Sequence, residues 1–461
     1  MYAWLFKNVA FPLYESGLRR RNTLKYLRRL EEQQWLSPEE VQEIQWKKLL
    51  ELLRHAEERV PFYRDRMRAA GLSARAVNSP DDLLRLPMLT RDDVRQNGRA
   101  LMAEGVSPRE LYWTGTAGST GEPLRFAYSH DSYEWRVAAA ARADRWAGWD
   151  WGRRQFYIWG LPLMPEPRLR KLKRRLHERL LNRRIVSSFA FTDRVLEGYA
   201  AEYNKFRPAV VVGYTNALYE FARFCLDRGL KLWRPAGAIA SAERLYDHQR
   251  TAIAAAFDTG VFDRYGCREM MNMAAECDHH CGLHLNADNI YVEILKDGRL
   301  AAPGEPGEVV ATDLNNYGMP LIRYSSNDMA VAAGGRCGCG RGLPLLARVE
   351  GRILDVIPTP DGRHAPGEFF VYLLKDFAGV RRFQVVQDRT YAVRVLIEPM
   401  AGFERESLEV IREHVAAKLG PQTPLSVELV DDIPLTEGGK LRVTKSDVMA
   451  EREQAAASGR S

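Results

Sequence analysis

Long apolar runs are missing from these 461 residues. None reaches the ~20 residues of a membrane span, so a helical membrane protein is not expected. Cysteine is scarce, with six in the whole chain. That excludes the disulfide framework of a small secreted scaffold and leaves thiols or metal ligands as the expected roles. The first residues, MYAWLFKNVAFPLYESGLRRR, have no charged lead ahead of their apolar residues and no small-residue cleavage site. A secretory signal is therefore not expected, and the expected location is cytoplasmic. Charge of one sign is not in large excess either: the formal net charge is +7. No internal repeat is present. The chain also lacks a phosphate loop of the Walker type, because no Lys follows the last glycine of its glycine-rich stretch.

What is present begins with that stretch, YWTGTAGSTGEPLRF, from Tyr112 to Phe126. Thr116, Gly118, Ser119, Thr120 and Gly121 bring almost no apolar surface to bury. A solvated hairpin loop is one reading. The other is a loop that wraps a phosphate chain, since glycines let backbone N–H groups approach an anion and hydroxyls add donors.

Length and composition point to two domains. SPEEVQEIQWKKLLELLRHAEERVPFY opens a helix with Ser37 as cap and Pro38 in the first turn, and Thr90 caps another. From about 137 to 310 short apolar runs alternate with helix starts: RQFYIWG, AVVVGY, AGAIASAE and GVFDRYG. That rhythm predicts an α/β fold with a largely parallel sheet over this stretch, in a large domain of mixed sheets and helices. Turn-rich strands follow from about 303, and a β-α-β pattern closes the chain. The expected division is a large domain over 1–352, with a helical leader over about 1–100, a hinge near 352–358, a small α+β lid over 353–448, and a frayed tail over 449–461.

RLRKLKRRLHERLLNRR, residues 168–184, is a basic helical pattern with Leu169, Leu172, Leu176 and Leu180 on one face. The favoured expectation is a helix packed by its leucines. A membrane surface, an anionic glycan or a nucleic acid are the alternatives, and a lipid interface at the aromatic N-terminus ranks below these. The cysteines form two close pairs, Cys277 with Cys281 and Cys337 with Cys339, with His279, His280 and His284 near the first. Two such pairs separated by a long insert predict a closed, four-coordinate structural zinc site. A nucleic-acid zinc module is not expected, because no basic or aromatic stripe brackets the cysteines. Cys225 and Cys267 are expected to be packed thiols.

TAGSTGEP resembles the phosphate loop of the adenylate-forming superfamily of acyl-CoA synthetases, luciferases and peptide-synthetase adenylation domains. Further segments resemble the other motifs of that superfamily, in order: ASAERL, DRYGCREM, NDM, GRILDVI and PLTEGGKLRV. QWLSPEEVQEIQWKKLLELLRHAEERVPFYR, LPMLTRDDVR, MPLIRY and CGCGR resemble phenylacetate-CoA ligase-like proteins, and more narrowly the branch found with capsular polysaccharide genes.

The resemblance implies an ATP-dependent ligase that converts a carboxylic acid to an acyl-adenylate and passes the acyl group to coenzyme A. An adenylyltransferase that stops at an AMP conjugate, and a non-catalytic scaffold of a polysaccharide assembly, are the alternatives. It implies that Thr116, Gly118, Ser119, Thr120 and Gly121 hold the β- and γ-phosphates. Tyr265 stacks on adenine, and Ser241, Ala242 and Glu243 line the same pocket, with Gly266, Arg268 and Arg352 also at the nucleotide. Glu269 holds Mg²⁺, Asp328 accepts from the ribose hydroxyls, and Lys440 reaches the α-phosphate from the mobile lid. Asn327 stands where the superfamily has glycine, and asparagine tolerates the positive φ that such a turn needs. Some relatives resemble the cysteine arrangement with the His of GLH as a ligand, which makes His284 a rival to Cys281. Tyr214 and the FYIWG strand are expected near the acid, which favours an aromatic one. Peripheral membrane contact is the most that is expected of a membrane partner.

Overall fold

The computed structural model describes residues 2–116, 124–160, 168–188, 192–351, 357–365, 367–374, 377–399, 402–433 and 443–448. Its centre is a twelve-stranded mixed sheet. One half is the expected α/β part. Arg183–Ser187, Gln155–Trp159, Val210–Tyr214, Gly237–Ser241 and Val261–Cys267 lie side by side and parallel.

These strands read as continuous apolar runs because both faces are covered. The alternation is visible in VVV of Val210–Tyr214. Val210 and Val212 pack with Ile239, Phe262, Leu27, Leu30, Ala138 and Ala139 on one face. Val211 packs with Phe156, Ile158, Leu218, Phe221 and Phe257 on the other. The helices His130–Trp146 and Thr23–Gln33 cover the first face; Asp193–Phe206, Thr215–Asp227 and Asp247–Phe257 cover the second.

The rest of the sheet is antiparallel, so the sheet as a whole is mixed, as expected of the large domain. Val261–Cys267 turns straight back into Met271–Glu276, and every later pairing in this sheet runs antiparallel. The reason lies in the connections. Parallel neighbours need a crossover that usually carries a helix, whereas the connections between Val261 and Gly351 carry none.

The helical leader packs against this half. Ser37 caps Pro38–Arg59 and Thr90 caps Arg91–Gln96; each forms a reciprocal pair of hydrogen bonds with the acid three residues on, Glu40 and Asp93. Leu49, Leu52, Leu53 and Ala56 of the longer helix enter the largest core with Leu285, Ile290, Ile294 and Val309. The core also holds charge in matched pairs: Arg142 donates to Asp288 and Asn286, and Arg136 to Asp313, all buried.

The basic helix Arg168–Leu180 departs from expectation. Leu169, Leu172, Leu176 and Leu180 are exposed, and among the described side chains of the helix the buried one is Glu178, which accepts from Arg174 at 2.8 Å. The leucines do not pack it.

Residues 357–448 build a separate core. A four-stranded sheet sets Leu425–Leu429, Val393–Pro399, Val380–Gln387 and Thr444–Ser446 side by side, with the helices Gly367–Leu374 and Ser407–Leu419 against it. Ile357–Pro358 pairs with His364–Ala365, and Ile357 belongs to this core. The hinge residues 352–356 and the tail 449–461 lie outside the described residues. Lys418 reaches from this unit toward Glu220 of the large one, Nζ to Oε1 at 3.5 Å.

Candidate active site and metal centre

The parallel strands end together. Trp159, Tyr214 and Ser241 close three neighbouring strands, with Tyr214 opposite Ser241 in register and the Trp159 and Tyr214 rings 4.3 Å apart. In open α/β sheets ligands bind outside the carboxyl ends of the strands. Ser241 accepts from Arg264 Nε at 3.3 Å, and Arg264 also donates to the buried Asp144 at 3.1 Å. The chain then turns at Ala242, whose φ of 70° is left-handed, and carries Ala242 and Glu243 out of the sheet. The Glu243 carbonyl accepts from Thr215 Oγ1 at 3.1 Å.

The hairpin beyond Val261–Cys267 supplies the next group. Gly266 is required by close approach: a Cβ there would meet the Met271 carbonyl oxygen at 1.9 Å. The pairing slips at this point, with Tyr265 opposite Ala274 but Gly266 opposite Asn272. The hairpin closes through Arg268, exposed, and Glu269, 1% exposed. Glu269 Oε1 accepts from Tyr324 Oη at 2.7 Å and lies 3.5 Å from Arg91. Glu269 Oε2 is buried and has no hydrogen-bond partner among the described residues. An orphaned, buried carboxylate oxygen is costly unless a cation or donor comes to it. It fits a hard cation such as Mg²⁺, which takes one or two carboxylates and completes its shell with water and phosphate oxygens.

Asp328 sits on a bulge. Tyr324–Ala332 pairs with Pro306–Asp313, but Ser326, Asn327 and Asp328 stand opposite Val309 alone. Asn327 has φ 58°, so asparagine makes the left-handed turn. Tyr265 Oη donates to Asp328 Oδ2 at 2.8 Å. Burial, with the Asp328 charge, holds the Tyr265 phenol well above its ordinary value; burial and Glu269 do the same for Tyr324. Both stay protonated donors, and the Tyr265 ring is fixed by its bond to the acid. Tyr265, Glu269 and Asp328 are therefore gathered by one bulged hairpin and one bulged strand.

Gly266→Ala is the sharpest local probe. The new methyl cannot fit against the Met271 carbonyl, so the hairpin must open. A loss of about 1–3 kcal/mol in chemical denaturation is expected. An unchanged midpoint would show that the slip does not need glycine.

Two partners of Glu269 escaped the sequence reading. Arg91 was taken only as the first residue of a capped helix. A cation there opposes the helix dipole, which was the available signal that it serves another group. The parallel bridge between Leu89 and Tyr324 brings Arg91 and Tyr324 to the same carboxylate.

The glycine-rich loop is placed only by its flanks. Leu111–Thr116 pairs antiparallel with Leu124–Ser129, and Thr116 is opposite Leu124. Gly118, Ser119, Thr120 and Gly121 lie outside the described residues, as do Arg352 and Lys440.

The cysteines converge elsewhere in the large domain. Cys277 follows Met271–Glu276, His284 is central in Leu283–Leu285, and Cys337 and Cys339 lie in the loop before Leu345–Gly351. His284 pairs with Leu345, which brings the two segments together. The ligand atoms of Cys277, His284, Cys337 and Cys339 all lie within 4.8 Å of one another. Cys277 Sγ is 3.7 Å from Cys337 Sγ, and Cys339 Sγ is 3.4 Å from His284 Nε2. A tetrahedral zinc with ~2.3 Å bonds to sulfur and ~2.05 Å to nitrogen has edges of about 3.8 Å between sulfurs and about 3.5 Å from sulfur to nitrogen. The donor set fits.

The second nitrogen of His284 fits as well. Nδ1 lies 3.4 Å from the Leu343 carbonyl oxygen, so Nδ1–H donates there and the Nε2 lone pair faces the sulfurs. Burial pushes the His284 imidazole down to about 4 and the Cys277 thiol up to about 12, the ordinary response of ligands with no ion beside them. Cys281 stands outside the group, exposed, with Sγ donating to the His279 carbonyl at 3.2 Å. Cys225 is buried and Cys267 part-buried near Met273.

Comparison with known proteins agrees with the architecture. Residues 357–447 match the family model of the CapK C-terminal domain. Protein CapK of Staphylococcus aureus is 23% identical over 417 residues, 88% of this chain and 89% of that one. Phenylacetate-coenzyme A ligase of Thermus thermophilus is 24% identical over 439 residues, 88% of this chain and 96% of the relative. The enzyme of the same name from Escherichia coli is 26% identical over 336 residues, 70% and 73%. Among solved structures, 2-hydroxyisobutyryl-CoA ligase in complex with 2-HIB-AMP and CoA superposes with a TM-score of 0.61 at 20% identity, covering 92% of this chain and 94% of that one. The chain is thus similar over most of its length to CapK and to phenylacetate-coenzyme A ligases, and it shares the fold of 2-hydroxyisobutyryl-CoA ligase.

Proposed function

We propose that this chain activates a carboxylic acid with ATP and then transfers the acyl group to coenzyme A. The observation that carries the reading is the buried constellation of Tyr265 bonded to Asp328, with Glu269 in the hairpin after Tyr265 and its Oε2 without a hydrogen-bond partner among the described residues. In the first step the substrate carboxylate attacks the α-phosphorus, the bond to the β-phosphate oxygen breaks, and pyrophosphate leaves. The Tyr265 ring lies against the adenine, with Gly266 and Arg268 following it in the hairpin. Ser241, Ala242 and Glu243 line the pocket's other side. Asp328 accepts from the ribose hydroxyls. Backbone N–H groups of the loop beginning at Thr116, through Gly118 and Gly121, donate to the β- and γ-phosphate oxygens with the hydroxyls of Ser119 and Thr120. A magnesium ion held by Glu269 and phosphate oxygens would neutralise charge on the departing pyrophosphate. Lys440 comes to the α-phosphate as charge develops there, and Arg352 lies at the hinge side of the nucleotide.

In the second step the lid rotates about 352–358, the thiol of coenzyme A attacks the acyl carbon, and AMP leaves. Trp159 and Tyr214, tilted against each other at the mouth of the parallel strands, favour an aromatic acid. The zinc site formed by Cys277, His284, Cys337 and Cys339 is a structural staple, closed by four protein ligands. A role in polysaccharide biosynthesis is the biological setting this reading favours.

The test is acid-dependent exchange of radiolabelled pyrophosphate into ATP, over a panel of aryl and aliphatic acids, followed by mass spectrometry of products with and without coenzyme A. Exchange with at least one acid, and a thioester when coenzyme A is added, is the expected result. An AMP conjugate that persists in the presence of coenzyme A would replace the second step with an adenylyltransferase reading. No exchange with any acid, together with no ATP binding by calorimetry, would overturn the whole proposal.

A further inference from the structure

The helix Arg168–Leu180 spends its apolar residues on solvent. Leu169, Leu172, Leu176 and Leu180 are 74%, 55%, 51% and 63% exposed. At 100° per residue they fall within an arc of about 80°. Lys173 and His177 border that arc on one side, and Arg175 and Arg179 on the other; all four are exposed. The helix carries seven Lys and Arg against one acid, Glu178, and that acid is turned inward to Arg174. Its outer surface is therefore leucine flanked by cations, with no carboxylate.

The N-terminal helical turns, Tyr2–Leu5, Phe6–Ala10 and Leu13–Leu18, have the same character. They are held to the body by few groups. Phe11 stacks on Trp151 with centroids 4.0 Å apart, Lys7 pairs with Asp150 at 2.6 Å, and buried Glu15 accepts from Thr23 at 2.8 Å. Gly152, with φ 80°, lets the backbone of Ala3 approach closely. Trp4, Leu5, Leu13, Tyr14 and Leu18 are left exposed, and exposed Arg19 and Arg20 follow them. The two elements meet where Tyr2 Oη donates to the Leu180 carbonyl at 2.8 Å. Tyr2 and Leu180, both exposed, thus adjoin, and each of the two elements carries exposed apolar residues next to exposed basic ones.

We propose that this surface docks the protein on an anionic lipid bilayer. The occupant is chosen by charge complementarity. Leucine, tryptophan and tyrosine enter the headgroup boundary while the bordering lysines and arginines meet phosphate, the arrangement of an interfacial amphipathic helix. A thirteen-residue helix is too short to span, and no helix among the described residues is long and apolar enough to cross a membrane. A protein partner with an apolar groove would have to place acids on both borders of the leucine arc. An anionic bilayer presents that charge everywhere. The inference does not depend on the ligase reading.

The experiment is co-sedimentation of the full chain with vesicles of phosphatidylcholine alone and of phosphatidylcholine mixed with phosphatidylglycerol. Binding is expected to the mixed vesicles and not to phosphatidylcholine alone, and to weaken when salt is raised from about 0.1 M to about 1 M. Leu172→Glu with Leu176→Glu should weaken it more than about tenfold, because two acids replace buried methyls at an anionic surface. The same substitutions face solvent in the unbound protein and should leave the melting temperature and pyrophosphate exchange unchanged. Lys173→Glu with Arg179→Glu gives a second variant that spares the leucines and should lose the preference for phosphatidylglycerol. No binding to the mixed vesicles by the folded full chain overturns the proposal, as does equal binding by the variants. Self-association abolished by the leucine variant, without vesicle binding, overturns it in favour of a second copy of the chain.

Discussion

Acid-dependent pyrophosphate exchange is expected to fall about 10²–10³-fold in Glu269→Gln, the scale seen when one preorganised charge-stabilising group is removed. The amide keeps the shape of the side chain and can still accept from Tyr324 through its carbonyl oxygen. It loses the charge that would hold a divalent cation at the oxygen now without a partner. The concentration of Mg²⁺ needed for half-maximal rate should therefore rise together with the fall in turnover. A merely structural role would lower the melting temperature and leave that requirement where it was. Lys440→Ala should lose at least as much rate with the Mg²⁺ requirement unchanged, because the proposed mechanism gives it the α-phosphate and not the metal. If Glu269→Gln keeps full exchange and the ordinary Mg²⁺ requirement, the carboxylate serves only Tyr324 and Arg91.

The residues around Glu269 show which parts of this molecule could be inferred from its sequence. Strands at Gln155–Trp159, Val210–Tyr214 and Gly237–Ser241 were legible because each is a short apolar run with a helix start after it, and Val261–Cys267 because it is another such run, although a hairpin and not a helix follows it. Ser37 and Thr90 were legible because a cap and the acid three residues later are a local, reciprocal pattern. Arg91 and Tyr324 were not tied to Glu269, since a bridge at Leu89 joins segments more than two hundred residues apart. The choice between His284 and Cys281 was open for the same reason. Spacing favours either, and only the pairing of His284 with Leu345 turns one toward Cys337 and Cys339.

The leucines of Arg168–Leu180 teach a different lesson. Their periodicity correctly marked a helix and a face. Periodicity says that one face differs from the other, not which body covers it, and the habit of assigning the apolar face to the protein's own interior failed here. The burial of Glu178 with Arg174 has the opposite origin. The carboxylate is matched within the helix by Arg174 one turn earlier, so it can be buried as half of an ion pair.

Purified protein is expected to hold one zinc per chain, and its removal should cost the large domain on the order of 4 kcal/mol or more, the range associated with loss of a structural metal. The cluster joins the loop after Met271–Glu276 to the loop before Leu345–Gly351, and both strands lead directly to the sheet that carries Glu269 and Asp328. Without an ion, Cys277 is a buried thiol and His284 a buried neutral ring, and the weak contacts within the cluster and the Nδ1–H bond to Leu343 offset little of their desolvation. Cys337→Ser should lose the metal, lower the melting temperature sharply and reduce pyrophosphate exchange through the loosened sheet. Cys281→Ser should do none of these, because its exposed thiol lies outside the cluster. The pH dependence has a definite sign. Each thiol must lose a proton to bind, so affinity falls as pH is lowered, while His284, neutral above about 4, adds no competing proton near neutrality. Metal analysis by mass spectrometry, with thermal melts before and after a strong chelator, checks all of this. Full zinc content in Cys337→Ser, or zinc lost from Cys281→Ser, would mean that the ligands are not the four that the strand pairing brings together.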